Sequence, residues 1–384
     1  MNLNSTFIRS IHIENYRSLK TFHISPLVPF TVFLGKNGSG KSTILDSLLF
    51  LSEGIQGGIQ KTCKEKGGIL ELLSKDSSDS FSISIELYDD VSCDSLEYSI
   101  HISQDNGIPY VKKETITDLS TSIQLLCFES GNGVVRFTEN NTLQEKKEKL
   151  VSTDILALSI FANLYPFHAC QLIYRFLLHL RVFDFQVHNL RKAPLYVNND
   201  SLSQSGDNIA NILYSIQQNE PDTYQKIVSF LQDHIPSLDT IESRHDPVLN
   251  VNQIFMTDKG FLHPIGSKYI SSGTLKMLAY YILLLQPNDY SFIGLEEPEN
   301  YIHPSFINDL TEFCRQTSED KQIVISTHSP FFVNAMNPDE VWACKRNEEG
   351  ITICDNLKQN DPIRAYVENG AKIGHLWSEG YVEE

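Results

Sequence analysis

The sequence predicts an α/β protein with a mainly parallel core sheet, an antiparallel β subdomain and a helical insertion. Three observations predict this class. The β-rich run Phe30–Leu34 leads straight into glycines, after which Ile44, Leu45, Leu48, Leu49 and Leu51 recur at helical spacing. Residues 81–139 alternate apolar and polar side chains between Asp/Asn/Gly turns, which specifies antiparallel strands. The last third switches period repeatedly: helix 274–285, strand 291–295, helix 305–317, strand 322–326.

In chain order, Ile11, Ile13, Leu19 and Phe22 mark a half-buried strand and its neighbour. Gln104-Asp105-Asn106-Gly107 reads as one of the turns inside the antiparallel region. The charged run Glu145-Lys146-Lys147-Glu148-Lys149 lacks apolar heptads, so it reads as a solvated helix face or loop and not a coiled coil. From about 150 to 236 the period is helical; Ile209, Ile212, Leu213 and Ile216 follow Asp207, a candidate N-cap. A hairpin is expected next, with Asp258-Lys259-Gly260 as its turn. These shifts divide the chain into residues 1–150 (the Gly-rich loop and the antiparallel β subdomain), 151–236 (the helical insertion) and 237–384 (the second α/β segment).

Composition narrows the function classes. Apolar content of 41% excludes wholesale disorder. No window approaches ~18 uninterrupted apolar residues, and the N-terminal stretch has no charged-then-apolar leader pattern, so a cytoplasmic protein without a membrane partner is expected. The seven cysteines form no C-x-x-C pair and read as reduced thiols. A net charge of −17, from 31 Lys+Arg against 48 Asp+Glu, argues against a broad nucleic-acid-coating surface while leaving room for a local basic groove.

Gly35-Lys36-Asn37-Gly38-Ser39-Gly40-Lys41-Ser42 fits G-x-x-x-x-G-K-[ST] between a strand and a helix. Glycines let backbone N–H groups converge on phosphate oxygens, and the helix N-terminus adds its dipole. Gly35, Asn37, Gly38, Ser39, Gly40, Lys41, Ser42 and Thr43 are therefore the candidate nucleotide-binding residues, with Lys41 on the terminal phosphates and Ser42 on Mg²⁺. Phe292–Glu296 is an apolar strand ending in an acid, followed by Glu297; one carboxylate can serve Mg²⁺ and the other can orient or deprotonate water. His328 ends another apolar run, at the strand end where parallel sheets place ligands. Ser271-Ser272-Gly273-Thr274, ahead of an apolar helix, reads as an N-cap or as a second phosphate-binding helix start.

Together these motifs resemble an ABC-type ATPase of the SMC/RecF/OLD-like class, and more narrowly the stand-alone AAA/ABC-like ATPases of bacterial defence operons. Residues 8–55 and 200–345 carry the resemblance. It implies a P-loop ATPase head that binds ATP and Mg²⁺, with Lys41 and Ser42 as the Walker A pair and Glu296 as the Walker B acid. Glu297 takes the catalytic-base position, His328 the switch histidine, Ser271 and Gly273 the signature loop, and Asn300 to His303 the D-loop. Glu296 stands where Asp is commoner, Ser272 at a signature glycine, and His303 at a frequent D-loop Asp; no glutamine is assigned to a Q-loop. The class pairs two subunits head to tail, which implies a homodimer with composite ATP sites. No long coiled coil is present, unlike in SMC proteins, and residues 346–384 leave no room for the TOPRIM nuclease of OLD proteins.

Three functions remain open from sequence. One is an ATP-switched sensor or regulatory subunit of an anti-phage defence complex, acting on a separately encoded, nuclease-type effector. Another is a RecF-like recombination or repair ATPase that binds DNA. The last is an ATP-binding scaffold with little turnover.

Overall fold

The computed structural model describes residues 6–75, 79–89, 94–139, 142–164, 168–197, 201–286 and 289–382. The chain opens with the antiparallel pair β1 (Thr6–Tyr16) and β2 (Leu19–Ile24), then β3 (Phe30–Leu34), the Gly-rich loop and α1 (Lys41–Gly57). Helices α2 (Ile59–Glu65) and α3 (Ile69–Leu72) follow. The antiparallel region comprises β4 (Ser80–Asp89), β5 (Asp94–Asp105), β6 (Ile108–Asp118), β7 (Ile123–Glu129), β8 (Asn132–Glu139) and β9 (Thr142–Lys149). Next come α4 (Ala157–Leu164), α5 (His168–Leu178), β10 (Leu180–Phe183), α6 (Val187–Leu190), α7 (Ile209–Asn219) and α8 (Pro221–His234). A small sheet of β11 (Leu238–Asp246), β12 (Val251–Asp258) and β13 (Ile265–Gly266) precedes α9 (Ser272–Leu285). The chain continues through β14 (Phe292–Glu296), α10 (Pro304–Thr317), β15 (Gln322–Thr327), α11 (Pro330–Val333), β16 (Val341–Arg346), β17 (Thr352–Asn356), α12 (Asp361–Glu368) and α13 (Ile373–Ser378).

The core sheet runs β10-β14-β15-β3-β16-β17, parallel throughout except for the β16–β17 pair. Its central strands are nearly continuous apolar runs because both faces are covered. Alternation sends Phe33, Phe292 and Val324 to one face, against Leu45 and Leu48 of α1 and the β subdomain. Val32, Ile293, Leu295, Ile323 and Ile325 face the other side, against α7, α9 and α10. The eight-stranded sheet β2-β1-β4-β5-β6-β7-β8-β9 is one-sided, and the buried–half-buried alternation of β4 follows from that.

Several sequence expectations need correction. Leu180–Phe183, inside the stretch read as helical, is a core strand beside β14; a four-residue run among helices gives no period of its own. The charged run 145–149 belongs to β9, an exposed sheet edge, where its lysines and glutamates keep the open backbone solvated and blunt pairing with other chains. Asp207 does not cap α7: Asn208 holds that position, and the Asp207 carboxylate accepts from the Ser203 hydroxyl at 2.6 Å. Two hairpins lie here where one was expected: β11–β12 turns over residues 247–250, and Asp258-Lys259-Gly260 begins the connection between the antiparallel strands β12 and β13, as expected. Finally, Cys344 and Cys354 face each other across β16 and β17 and are joined by a disulfide. That pair is invisible to C-x-x-C spacing because only the hairpin register brings it together. Cys63, Cys127, Cys170 and Cys314 are free thiols, and Cys93 lies outside the described residues. The Asn106-Gly107 turn has both residues at positive φ (50° and 82°), the geometry a two-residue hairpin needs.

One buried acid ties the β subdomain to the helices. Glu114 on β6 is fully buried; it accepts from the Ala157 and Leu158 amides at the start of α4 (2.5 and 3.0 Å) and from the Tyr98 hydroxyl (3.0 Å). Burial pushes its carboxyl up to about 7, against the opposing pull of those three donors. A folded-state value above the unfolded one means that this contribution to stability is full in acid and fades as pH rises through about 7. Urea unfolding of wild type and Glu114→Gln between pH 4.5 and 8 is expected to show the difference. Wild type should lose about 3 kcal/mol relative to the variant across that range, an order-of-magnitude value from linkage; parallel pH curves would contradict it.

Candidate active site

The parallel strands β10, β14, β15 and β3 end at one rim, and the chemistry-bearing residues cluster there. Gly35 leaves β3 with its amide donating to the Thr327 carbonyl at the end of β15 (3.2 Å). Gly38 and Gly40 hold φ of 82° and 101°, which a side chain would strain, and a Cβ on Gly40 would strike Thr352 of β17. The loop closes on itself through Ser39 N–H to the Lys36 carbonyl (3.1 Å), and Thr43 N–H to the Gly40 carbonyl (3.0 Å). Lys41 is 4% exposed, and its ammonium donates to the carbonyls of Gly35 (2.7 Å) and Lys36 (3.0 Å). Burial lowers its pKa, and the nearby carboxylates Glu297, Glu299 and Glu296 oppose that.

The two adjacent acids diverge. Glu296 completes β14; burial raises its pKa, a hydrogen bond from Ser42 pulls it down, and Asp184, Asp46 and Glu297 push it up again. Glu297 leaves the strand at φ 39°, its amide donating to the Ser326 carbonyl (2.9 Å) while its carboxylate accepts from the Asn300 side chain (2.9 Å). The separation expected from strand alternation is therefore made by a left-handed turn. Glu296 faces Ser42 of α1, and Glu297 faces the D-loop and His328, whose Nδ1 is 3.6 Å away.

Glu299, Asp184 and Lys276 were not singled out from sequence. Glu299 is 8% exposed, and one of its oxygens accepts from the Thr327 hydroxyl (2.5 Å) and the His328 amide (3.1 Å), pinning the loop that carries the histidine. Its signal was slight: an acid two residues beyond a pair already explained. Asp184 follows β10 just as Glu296 ends β14, but lay in the stretch read as helical. Lys276, on α9 and 3% exposed, lies among Asp184, Glu299 and Glu297, and burial is the main influence lowering its pKa.

Ser271 and Gly273 lie at the start of α9, the helix that carries Lys276. Ser271 caps α9, its hydroxyl accepting from the Thr274 amide (3.1 Å), so the N-cap reading holds in geometry. Gly273 lies against the Tyr301 carbonyl of the D-loop, and Arg191 braces the loop by donating to Ile270 O (3.1 Å) and Ser272 Oγ (3.3 Å). His303 caps α10. Lys36, Asn37 and His328 line a cavity of about 690 Å³ whose described lining includes no residue of the signature loop.

The site suits a magnesium nucleotide. Gly40 leaves no room for a side chain, Lys41 brings a buried cation, and Ser42 sits on Glu296. Among the described residues no cluster of three His, Cys, Asp or Glu forms a metal cage; a hydroxyl plus one carboxylate, completed by phosphates, is the usual donor set for Mg²⁺.

Residues 30–334 match the family described as "AAA domain, putative AbiEii toxin, Type IV TA system". The chain belongs to that family, within the SMC/RecF-like ABC-type ATPases. Curated relatives agree over short stretches. The DNA replication and repair protein RecF of Coxiella burnetii (strain Dugway 5J108-111) is 33% identical over 82 residues, 21% of each chain. RecF of Acinetobacter baylyi is 45% identical over 47 residues, 12% of this chain and 13% of that one. The match thus spans about a fifth of the first relative's length. In fold, the chain is similar to an SMC head bound to the C-terminal winged-helix domain of ScpA (TM-score 0.51, 13% identity, 92% of this chain and 99% of that one). It is also similar to an SMC head with an extended coiled coil bound to a ScpA domain from Pyrococcus furiosus (TM-score 0.51, 12% identity, 94% and 100%). Among the described residues no helix is long and apolar enough to cross a membrane.

Two variants probe the loop. Lys41→Ala is expected to abolish ATP binding in the micromolar range by calorimetry, because phosphate charge loses its main protein counterion. Gly40→Ala should do the same through backbone strain and the Thr352 clash. Wild-type affinity in either would contradict the site.

Proposed function

We propose that the chain hydrolyses ATP at composite sites of a head-to-tail homodimer. In this reading it serves as the ATP-switched sensor or regulatory subunit of a bacterial anti-phage defence complex, with a separately encoded, nuclease-type effector. The observation behind the composite site is that Lys41, Ser42, Glu296, Glu297 and His328 meet at the ends of the parallel strands, while Ser271 is engaged in capping α9 and Gly273 packs on the Tyr301 carbonyl of the same chain. The defence role rests on the family description and on the resemblance to defence-operon ATPases.

The residues divide the work. Gly35, Asn37, Gly38, Ser39, Gly40 and Thr43 wrap the phosphates with backbone amides, and Lys41 neutralises them. Ser42 and Glu296 would hold Mg²⁺, which supplies charge stabilisation at the phosphates. Glu297, oriented by Asn300, accepts the proton of the attacking water, and His328 senses the terminal phosphate. Ser271 and Gly273 cap that phosphate from the second copy. ATP closes the pair, hydrolysis opens it, and the motion is what the effector reads.

A second reading has its own observation. Arg17, Lys20, Lys75 and Arg346 line a groove of about 990 Å³ together with Glu71 and Glu349, a mildly basic feature on a chain of net charge −17, with Arg17 itself paired to Asp46 at 3.4 Å. Duplex DNA in that groove would suit a RecF-like repair ATPase. ATP-dependent duplex binding that weakens steeply with salt would favour it over the effector-gating reading.

Glu297→Gln is expected to bind ATP yet hydrolyse it at least ~100-fold more slowly, the usual scale of a general base. It should accumulate an ATP-dependent dimer by light scattering. Rapid turnover in this variant, with loss of turnover in Glu296→Gln alone, would reverse the roles of the two acids. Wild-type protein that binds ATP without measurable turnover would instead support the scaffold.

A further inference from the structure

The C-terminal segment borders a cavity beside the Gly-rich loop. Trp377–Gly380, at the end of α13, line the same open cavity as Lys36, Asn37 and His328. This segment lies outside the family match, which ends at residue 334. It is also firmly seated. Ile373 and Leu376 are buried, the Gly374 amide donates to the Asn334 side chain (3.0 Å), and the Pro330 carbonyl fills the place a Cβ on Gly374 would need. Pro330 begins α11, two residues after His328, so α13 is fixed to the element that follows the switch histidine.

What could dock on this segment is limited by its chemistry. Glu379 is exposed at the cavity, so further phosphate charge is disfavoured there, while Trp377 offers a half-buried indole. A complementary surface exists on the same chain. Lys268 and Tyr269 are exposed just before the signature loop; Tyr269 is 74% exposed, and the ammonium lies over its ring, 5.9 Å from the centroid. An aromatic ring carrying a cation matches an indole beside a carboxylate.

We propose that Trp377 and Glu379 form a docking surface for a second copy of this chain, receiving Lys268 and Tyr269 of that copy as its signature loop reaches the P-loop. The inference rests on the composite-site reading, and it makes the C-terminal turn a determinant of which signature loop is accepted.

Charge reversal tests it in the Glu297→Gln background, with dimer mass followed against ATP. Glu379→Lys and Lys268→Glu are each expected to weaken ATP-dependent dimerisation at least ~10-fold, and the double reversal to restore most of it. Unaffected single variants, or a double variant no better than the sum of the two defects, would overturn the docking. A second readout uses the two tryptophans. With buried Trp342 changed to Phe, Trp377 is the sole fluorophore of its kind, and ATP-driven dimerisation should shield it from iodide. Unchanged quenching in a dimer of doubled mass would also overturn the docking. If the parent variant stays monomeric with ATP, the composite-site reading itself falls.

Discussion

A buried ammonium must be surrounded by oxygen, and Lys41 sets that condition for the rest of the site. At 4% exposure it has given up water, and two P-loop carbonyls with three neighbouring glutamates replace it. Meeting this demand requires β3 and β14 to end at the same level, with β15 between them, which the parallel register provides. It also requires the loop to fold back on itself, which the left-handed Gly38 and Gly40 permit. The acid-rich rim and the tight loop are two sides of one electrostatic arrangement.

The same rim explains why the second half of the molecule is built as it is. Glu299 binds the His328 amide and the Thr327 hydroxyl, so the D-loop and the switch-histidine strand form a single hydrogen-bonded unit. That unit reaches the signature helix through the Tyr301 carbonyl at Gly273, and through Lys276 beneath it. Direct contacts thus join the two ends of this unit.

Much of this was legible in the sequence because the signals are local. The G-x-x-x-x-G-K-S spacing, the apolar runs ending in Glu296 and His328, and the period-two alternation of 81–139 each depend on a few consecutive residues. What escaped depends on register between distant strands. Asp184 reaches the rim only because Leu180–Phe183 pairs with β14, and Cys344 meets Cys354 only because the β16–β17 hairpin sets them opposite each other. Glu299 looked like any polar loop residue until its burial against β15 was known, and no local pattern places Trp377–Gly380 beside Lys36, Asn37 and His328. The charged run of β9 shows the converse: its solvation was legible, while its secondary structure was decided by the edge it occupies.

The central claim is that one chain's P-loop is completed by another chain's signature loop. The measurement that tests it most directly is the ATPase rate of mixed subunits, one carrying Lys41→Ala and the other Ser271→Arg, each inactive alone. Mixed dimers contain one site damaged twice and one site intact, so partial activity should return once subunits exchange. Ser271 acting only as a helix cap would instead cost about 1 kcal/mol of stability. In that case the Ser271→Arg protein would keep its turnover unaided and mixing would add nothing, which would contradict the composite site.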